Sequence, residues 1–167
     1  MSLPTRNLSA IVTGSSRGIG PAIALRLAND GFSVALDGLP SMQKGLETLS
    51  RKIKSTGWES MIDPCDVTDE KAVGGMVDRT VKELADLYVV CTMHLCPSYI
   101  FIITYCQIDS YECKCPVTWQ PDCRLPVPSI KCNDSSSIAV SLQTWNRFID
   151  INLTGVFLCY SRSSTNA

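Results

Sequence analysis

The stretch VTGSSRGIG, Val12 to Gly20, constrains this chain more than any other. It follows LSAIVTG (Leu8 to Gly14), a short apolar run with the composition of a buried parallel strand. It leads into GIGPAIALRLANDG, where Ile19, Ile23, Leu25 and Leu27 recur at roughly helical spacing. Pro21 suits the first helical turn and Gly31 the helix end. The glycines Gly14, Gly18 and Gly20 are spaced G-x-x-x-G-x-G. Gly14 permits a tight turn off the strand, and Gly18 lets backbone approach a pyrophosphate with no Cβ in the way. Gly20 lets helix and strand pack closely, and the helix N-terminus offers N–H groups and partial positive charge to an anion. Ser15, Ser16 and Arg17 add donors, and Ile19 completes the loop. An ordinary glycine turn needs only the first of these features, whereas a dinucleotide loop uses them all.

The same alternation continues downstream. FSVALD (Phe32 to Asp37) reads as a second strand, and Leu46, Leu49 and Ile53 share one face of a helix that stops at Gly57. ESMIDPCDV holds room for a third strand. VTDEKAVGGMVDRTVKEL is a strong helix, with Thr68 expected as N-cap, Asp69 and Glu70 in the first turn, and Val73, Met76, Val77, Thr80, Val81 and Leu84 as its apolar stripe. DLYVV is expected as the fourth strand. Strands alternating with helices of this size imply βαβ units, hence an α/β fold with a doubly wound parallel sheet in three layers.

Asp37 ends the second strand, 17 residues beyond Gly20. A carboxylate there accepts hydrogen bonds from the adenosine ribose hydroxyls and repels a 2′-phosphate, which favours NAD. Arg17 pulls the other way, since a cation in the loop reaches a 2′-phosphate, and a strand-end acid is also a common turn former.

The totals agree with one such domain. A length of 167 residues supports one core, and 45% hydrophobic with 19% charged residues is globular. A net charge of −1 argues against nucleic acid as the main partner. MSLPTRNLSAIV lacks the pattern of a signal peptide, so a cytoplasmic chain is expected.

Thr13-Gly14-x-x-x-Gly18-Ile19-Gly20, then Asp37, then CDVTD at Cys65 to Asp69, resemble the classical short-chain dehydrogenase/reductase family. The wording of the first half is similar to acetoin or diacetyl reductase-like and 3-oxoacyl reductase-like members. The resemblance runs from about Leu8 to Val90 and implies a Rossmann-type fold. It further implies hydride transfer between a nicotinamide cofactor and a small alcohol or carbonyl substrate, often in a homo-oligomer. It gives Asp66 and Val67 an adenine-contacting role. TWNRFIDINLTGVFLCYSRS resembles the family again, as an amphipathic helix carrying Trp145, Phe148, Ile149, Asn152, Val156, Phe157 and Tyr160. There Asn152 matches the family's catalytic asparagine, which holds a water in the proton relay.

The family's remaining catalytic groups are a serine and a Tyr-x-x-x-Lys pair. No tyrosine among the 167 residues has lysine four positions on. The expectation is therefore a partial domain, inactive as it stands. The rivals are a dinucleotide-binding module without catalysis and a truncated product that does not fold stably.

Between the two regions of resemblance the composition breaks. Seven of nine cysteines and five of nine prolines fall between Cys91 and Cys132, and Leu87 to Ile108 has no Asp, Glu, Lys or Arg. Four readings compete for residues 88–137. A membrane helix has the length but is diluted by Pro97, His94 and Gln107. A zinc site from Cys113, Cys115, Cys123 and Cys132 lacks any C-x-x-C pair. A genuine insertion would be long for a connection in a compact domain. A translated intron or misjoined gene model accounts together for the composition and for the missing Asn-Asn-Ala-Gly motif after DLYVV, so it is the favoured expectation. On that reading the break comes just after Val90.

Overall fold

The computed structural model describes residues 8–84, 86–95, 101–109, 112–114 and 141–165. Strand β1 (Leu8–Val12) leads through the glycine loop into helix α1 (Gly20–Asn29), and β2 (Ser33–Leu36) follows. Helix α2 (Gln43–Ser55), β3 (Ser60–Ile62), α3 (Glu70–Glu83) and β4 (Asp86–Leu95) continue the alternation. Strands β5 (Phe101–Asp109) and β6 (Glu112–Lys114) come next. The described chain closes on α4 (Leu142–Ile149), a π-helical turn at Asp150–Thr154, and α5 (Gly155–Thr165).

The sheet order is β3-β2-β1-β4-β5-β6, and its first four strands are mutually parallel. This is the doubly wound order in which the chain reverses direction beside β1, leaving a crevice at the carboxyl ends of β1 and β4. Side-chain alternation divides the core between two faces. Ala10, Val12, Val34 and Leu36 pack with Ala24 and Ala28 of α1 and Leu46, Leu49 and Ile53 of α2. Ile11 and Ala35 pack on the other side with Val73, Met76 and Val77 of α3 and Cys159 of α5. The register between β1 and β4 shifts at Ser9/Ala10. Tyr88 and Val89, adjacent in sequence, consequently both pack on the α1/α2 side, as a bulge requires.

Two expectations are corrected. The cap of α3 is Asp69, not Thr68: its carboxylate accepts the Lys71 and Ala72 N–H groups at 2.9 and 3.3 Å. The fourth strand does not stop at Val90 but runs to Leu95. Beyond it the sheet is no longer parallel, because β5 pairs antiparallel with β4 from Val89↔Gln107 to Leu95↔Phe101, and β6 antiparallel with β5. The described parts of Leu87–Ile108 are thus strands, and no helix among the described residues is long and apolar enough to cross a membrane. Cys115, Cys123 and Cys132 lie outside the described residues, as does most of the rest of 88–137.

The last helices bury only part of the expected stripe. Asn152, Gly155, Cys159 and Ser163 point inward, while Trp145 and Phe157 are 54% and 65% exposed. Small residues on the inner face let α5 lie close to its neighbours: a Cβ at Gly155 would meet Val67 Cγ2 at 3.0 Å. The Asn152 amide donates to the Phe148 carbonyl at 3.0 Å. A side-chain donor on that carbonyl loosens the i→i−4 ladder where the helix widens into its π turn.

Candidate functional site

The glycine loop leaves β1 with Gly14 at φ +63°, a conformation that favours glycine, and with no room for a side chain. A Cβ at Gly14 would run into the Met93 carbonyl, and one at Gly20 into the Gly14 carbonyl. Gly18 also has positive φ, +70°. The loop is braced from β4 by backbone: the Met93 N–H donates to Thr13 Oγ1 at 3.1 Å, and the Thr13 N–H to the Cys91 carbonyl at 3.0 Å. Helix α1 has no side-chain cap; Pro21 in its first turn carries no N–H, and the Ala22 and Ile23 N–H groups both donate to the Ile19 carbonyl, at 3.0 and 3.1 Å.

A cleft of about 150 Å3 opens beside this loop. Gly14, Ser16 and Arg17 form one side, Asp37 and Gly38 the end of β2, and Asp66 and Val67 the segment after β3. Met93 closes the β4 side, and Arg147 and Ile151 reach in from the last helices. Six of the residues singled out in the sequence are thus brought together. The cleft is smaller than the roughly 300–1,000 Å3 of most small-molecule sites.

Some expected roles are not what the geometry shows. Ser15 is fully buried; its N–H and hydroxyl both donate to the Asp37 carbonyl, at 2.8 and 2.9 Å, so it ties loop to β2 instead of facing the cleft. Gly18, Ile19 and Gly20 shape the loop and helix start without lining the cleft. Asp37 forms part of the wall yet is only 1% exposed, and its carboxylate accepts the Cys65 N–H at 2.9 Å. Burial raises its pKa to about 6, against the lowering effect of the Cys65 and Gly38 donors. Asp66 is exposed and accepts from the Thr68 N–H and hydroxyl at 3.0 and 2.8 Å, which hold its pKa below the usual carboxylate range. Asn152 is buried and does not line the cleft; its Oδ1 has no hydrogen-bond partner among the described residues.

Gly38, Met93 and Arg147 were not foreseen. Arg147 and Ile151 stand one helical turn apart, so a single helix face supplies both, but no local pattern distinguishes that face from a solvated one.

The sequence pattern of the short chain dehydrogenase family matches residues 9–92, half of the chain, and this protein belongs to that family. Among curated relatives it is 29% identical over 156 residues to the short-chain dehydrogenase/reductase eriH of Hericium erinaceus, covering 92% of this chain and 48% of that protein. It is 28% identical over 156 residues to the 3-oxoacyl-[acyl-carrier-protein] reductase FabG of Staphylococcus aureus, covering 93% and 49%. A doubly substituted Serratia marcescens short-chain dehydrogenase/reductase superposes with a TM-score of 0.68 at 19% identity, covering 98% of this chain and 52% of that one. The chain spans about half the length of the curated relatives it matches.

Proposed function

We propose that this chain is the dinucleotide-binding part of an NAD(P)-dependent oxidoreductase acting on a small alcohol or carbonyl compound. The observation that carries this reading is the glycine loop, pressed against the Met93 carbonyl at the carboxyl end of the parallel strands with an uncapped helix behind it. Gly14, Ser16 and Arg17 would hold the phosphate region, with Asp66 and Val67 beside the adenine. Asn152 would offer its orphaned Oδ1 to a water of the proton relay. The bound nicotinamide would supply or accept the hydride. A cytoplasmic location and assembly with further copies belong to the same proposal.

A dinucleotide-binding module without catalysis is the second reading, favoured by the lack of any Tyr-x-x-x-Lys pair in the 167 residues. Tyr160 is also engaged, donating to the Val90 carbonyl at 3.2 Å. Titration with NAD(P)H, read by fluorescence and followed by addition of diketone, separates the two. Binding with oxidation of the cofactor supports the oxidoreductase, binding alone supports the module, and no binding refutes both. The part of residues 88–137 beyond the family match, which ends at residue 92, remains proposed as translated non-coding sequence; a transcript containing it, from a gene without splice signals at its borders, would refute that.

A further inference from the structure

Both outer edges of the described sheet are short. β3, at one end of the strand order, and β6, at the other, are three residues each. β4 is ten residues long, and without β5 it would itself be the edge. Its middle is buried and largely apolar: Val89, Val90, Cys91, Thr92 and Met93 are at most 4% exposed. A long apolar strand with a free row of N–H and C=O groups is a template for another chain, whereas a short strand bearing charge is a poor one. β6, with the sequence ECK, is of the second kind.

The β4 backbone shows which groups that edge would expose. The Met93 N–H and the Cys91 carbonyl turn toward β1, where both meet Thr13. Backbone groups alternate sides along a strand, so Val90, Thr92 and His94 turn theirs outward. β5 faces those three positions through the antiparallel pairs Val90↔Cys106, Thr92↔Thr104 and His94↔Ile102. In the doubly wound order the place beside β4 belongs to a further parallel strand. Here the next strand of the chain fills it in the opposite direction.

We propose that β5 and β6 form an edge cap, which occupies the outer backbone groups of β4 and keeps that strand from pairing with the β4 of a second copy. A second copy fits the uncapped edge because antiparallel pairing about a two-fold axis offers each strand the same row of donors and acceptors. The cap moves the edge of the sheet from a ten-residue apolar strand to a three-residue charged one. It leaves assembly through other faces open and does not depend on the dinucleotide reading.

Hydrogen exchange of the full 167-residue chain, resolved to single amides, tests the cap. The Val90, Thr92 and His94 amides are expected to exchange within about tenfold of Cys91 and Met93, which face β1. Ile102→Pro with Thr104→Pro removes two donors from β5, and the three outer amides should then exchange about tenfold faster or more while Cys91 and Met93 keep their protection. Light scattering should show this variant approaching twice the parent's mass as concentration rises. Thr104→Val keeps the backbone N–H and should behave as the parent, and Thr104→Pro alone replaces the double variant if circular dichroism shows the latter unfolded. Fast exchange of the three outer amides in the parent overturns the cap, whether or not any variant folds. A folded, uncapped variant that keeps the parent's mass, or one that forms larger aggregates instead of a doubled mass, overturns pairing with a second copy.

Discussion

The Asp37 carboxylate accepts the Cys65 N–H at 2.9 Å, joining the end of β2 to the segment after β3 across 28 residues of sequence. This contact converts a residue that looks like a ligand contact into part of the wall that shapes the cleft. It also gives the fold a titrating group in its interior.

Because burial raises the folded-state pKa of Asp37 to about 6, the neutral carboxyl suits the fold better than the anion. Its contribution to stability is greatest below the unfolded value of about 4 and is lost as pH rises through about 6. Asp37→Asn keeps an acceptor oxygen and removes the titration. It is expected to be more stable than the parent at pH 7.5 by about 1–3 kcal/mol, with the difference closing toward pH 4. Urea midpoints that differ equally at both pH values would show that Asp37 is not the titrating group.

The loop brace should be more sensitive than its exposure suggests. Gly14→Ala places a Cβ against the Met93 carbonyl at positive φ, and a loss of about 3 kcal/mol or more is expected. Thr13→Val removes the side-chain acceptor of the buried Met93 N–H and should cost about 1–3 kcal/mol. Denaturant unfolding would contradict this account if the two ranked the other way.

Arg79 holds Asp63 through two hydrogen bonds of 2.6 and 2.7 Å, with the aspartate side chain 10% and the arginine 48% exposed. Removing the arginine leaves a buried carboxylate without its partner. Arg79→Ala is expected to cost about 1–2 kcal/mol, reduced by the solvent around the arginine, and Arg79→Lys to recover only part of it. Full recovery by lysine, measured as a melting temperature, would argue that charge alone matters.

The described thiols should be unreactive. Burial raises the pKa of Cys65 most, that of Cys159 to about 12 and that of Cys91 to about 11. At pH 8, alkylation mapped by peptide mass spectrometry should reach these three only when the chain is unfolded by denaturant. Rapid labelling of Cys65 in the native protein would contradict the burial of the Asp37–Cys65 contact.

The four parallel strands and three helices up to Val90 were legible because each rests on short-range pattern. Apolar runs, the Val73–Met76–Val77–Thr80 stripe and the glycines at turns all act within a few residues. The antiparallel strands β5 and β6 were not legible, since a composition poor in charge distinguishes poorly between strand, membrane helix and insertion. The cap of α3 was misplaced by one residue because Thr68 and Asp69 both cap well; the structure gives Thr68 to Asp66 instead. The inner face of the last two helices was read only in part for a related reason. Close packing of α5 against Val67 selects small residues, whereas hydrophobicity alone also selects Trp145 of α4 and Phe157 of α5, which are exposed.

The sequence by itself determined the glycine loop, the strand-helix alternation and the meeting of Gly14, Ser16, Arg17, Asp66 and Val67 at one end of a parallel sheet. Those follow from local conformational demands and from the handedness of βαβ connections. The tertiary structure alone decided which of their polar groups face a ligand. Ser15 and Asp37 turn to partners 22 and 28 residues away, and Arg147 arrives at the cleft from the far end of the chain. A side chain's direction is set by the donors and space that distant segments bring to it, and no spacing within the loop encodes those.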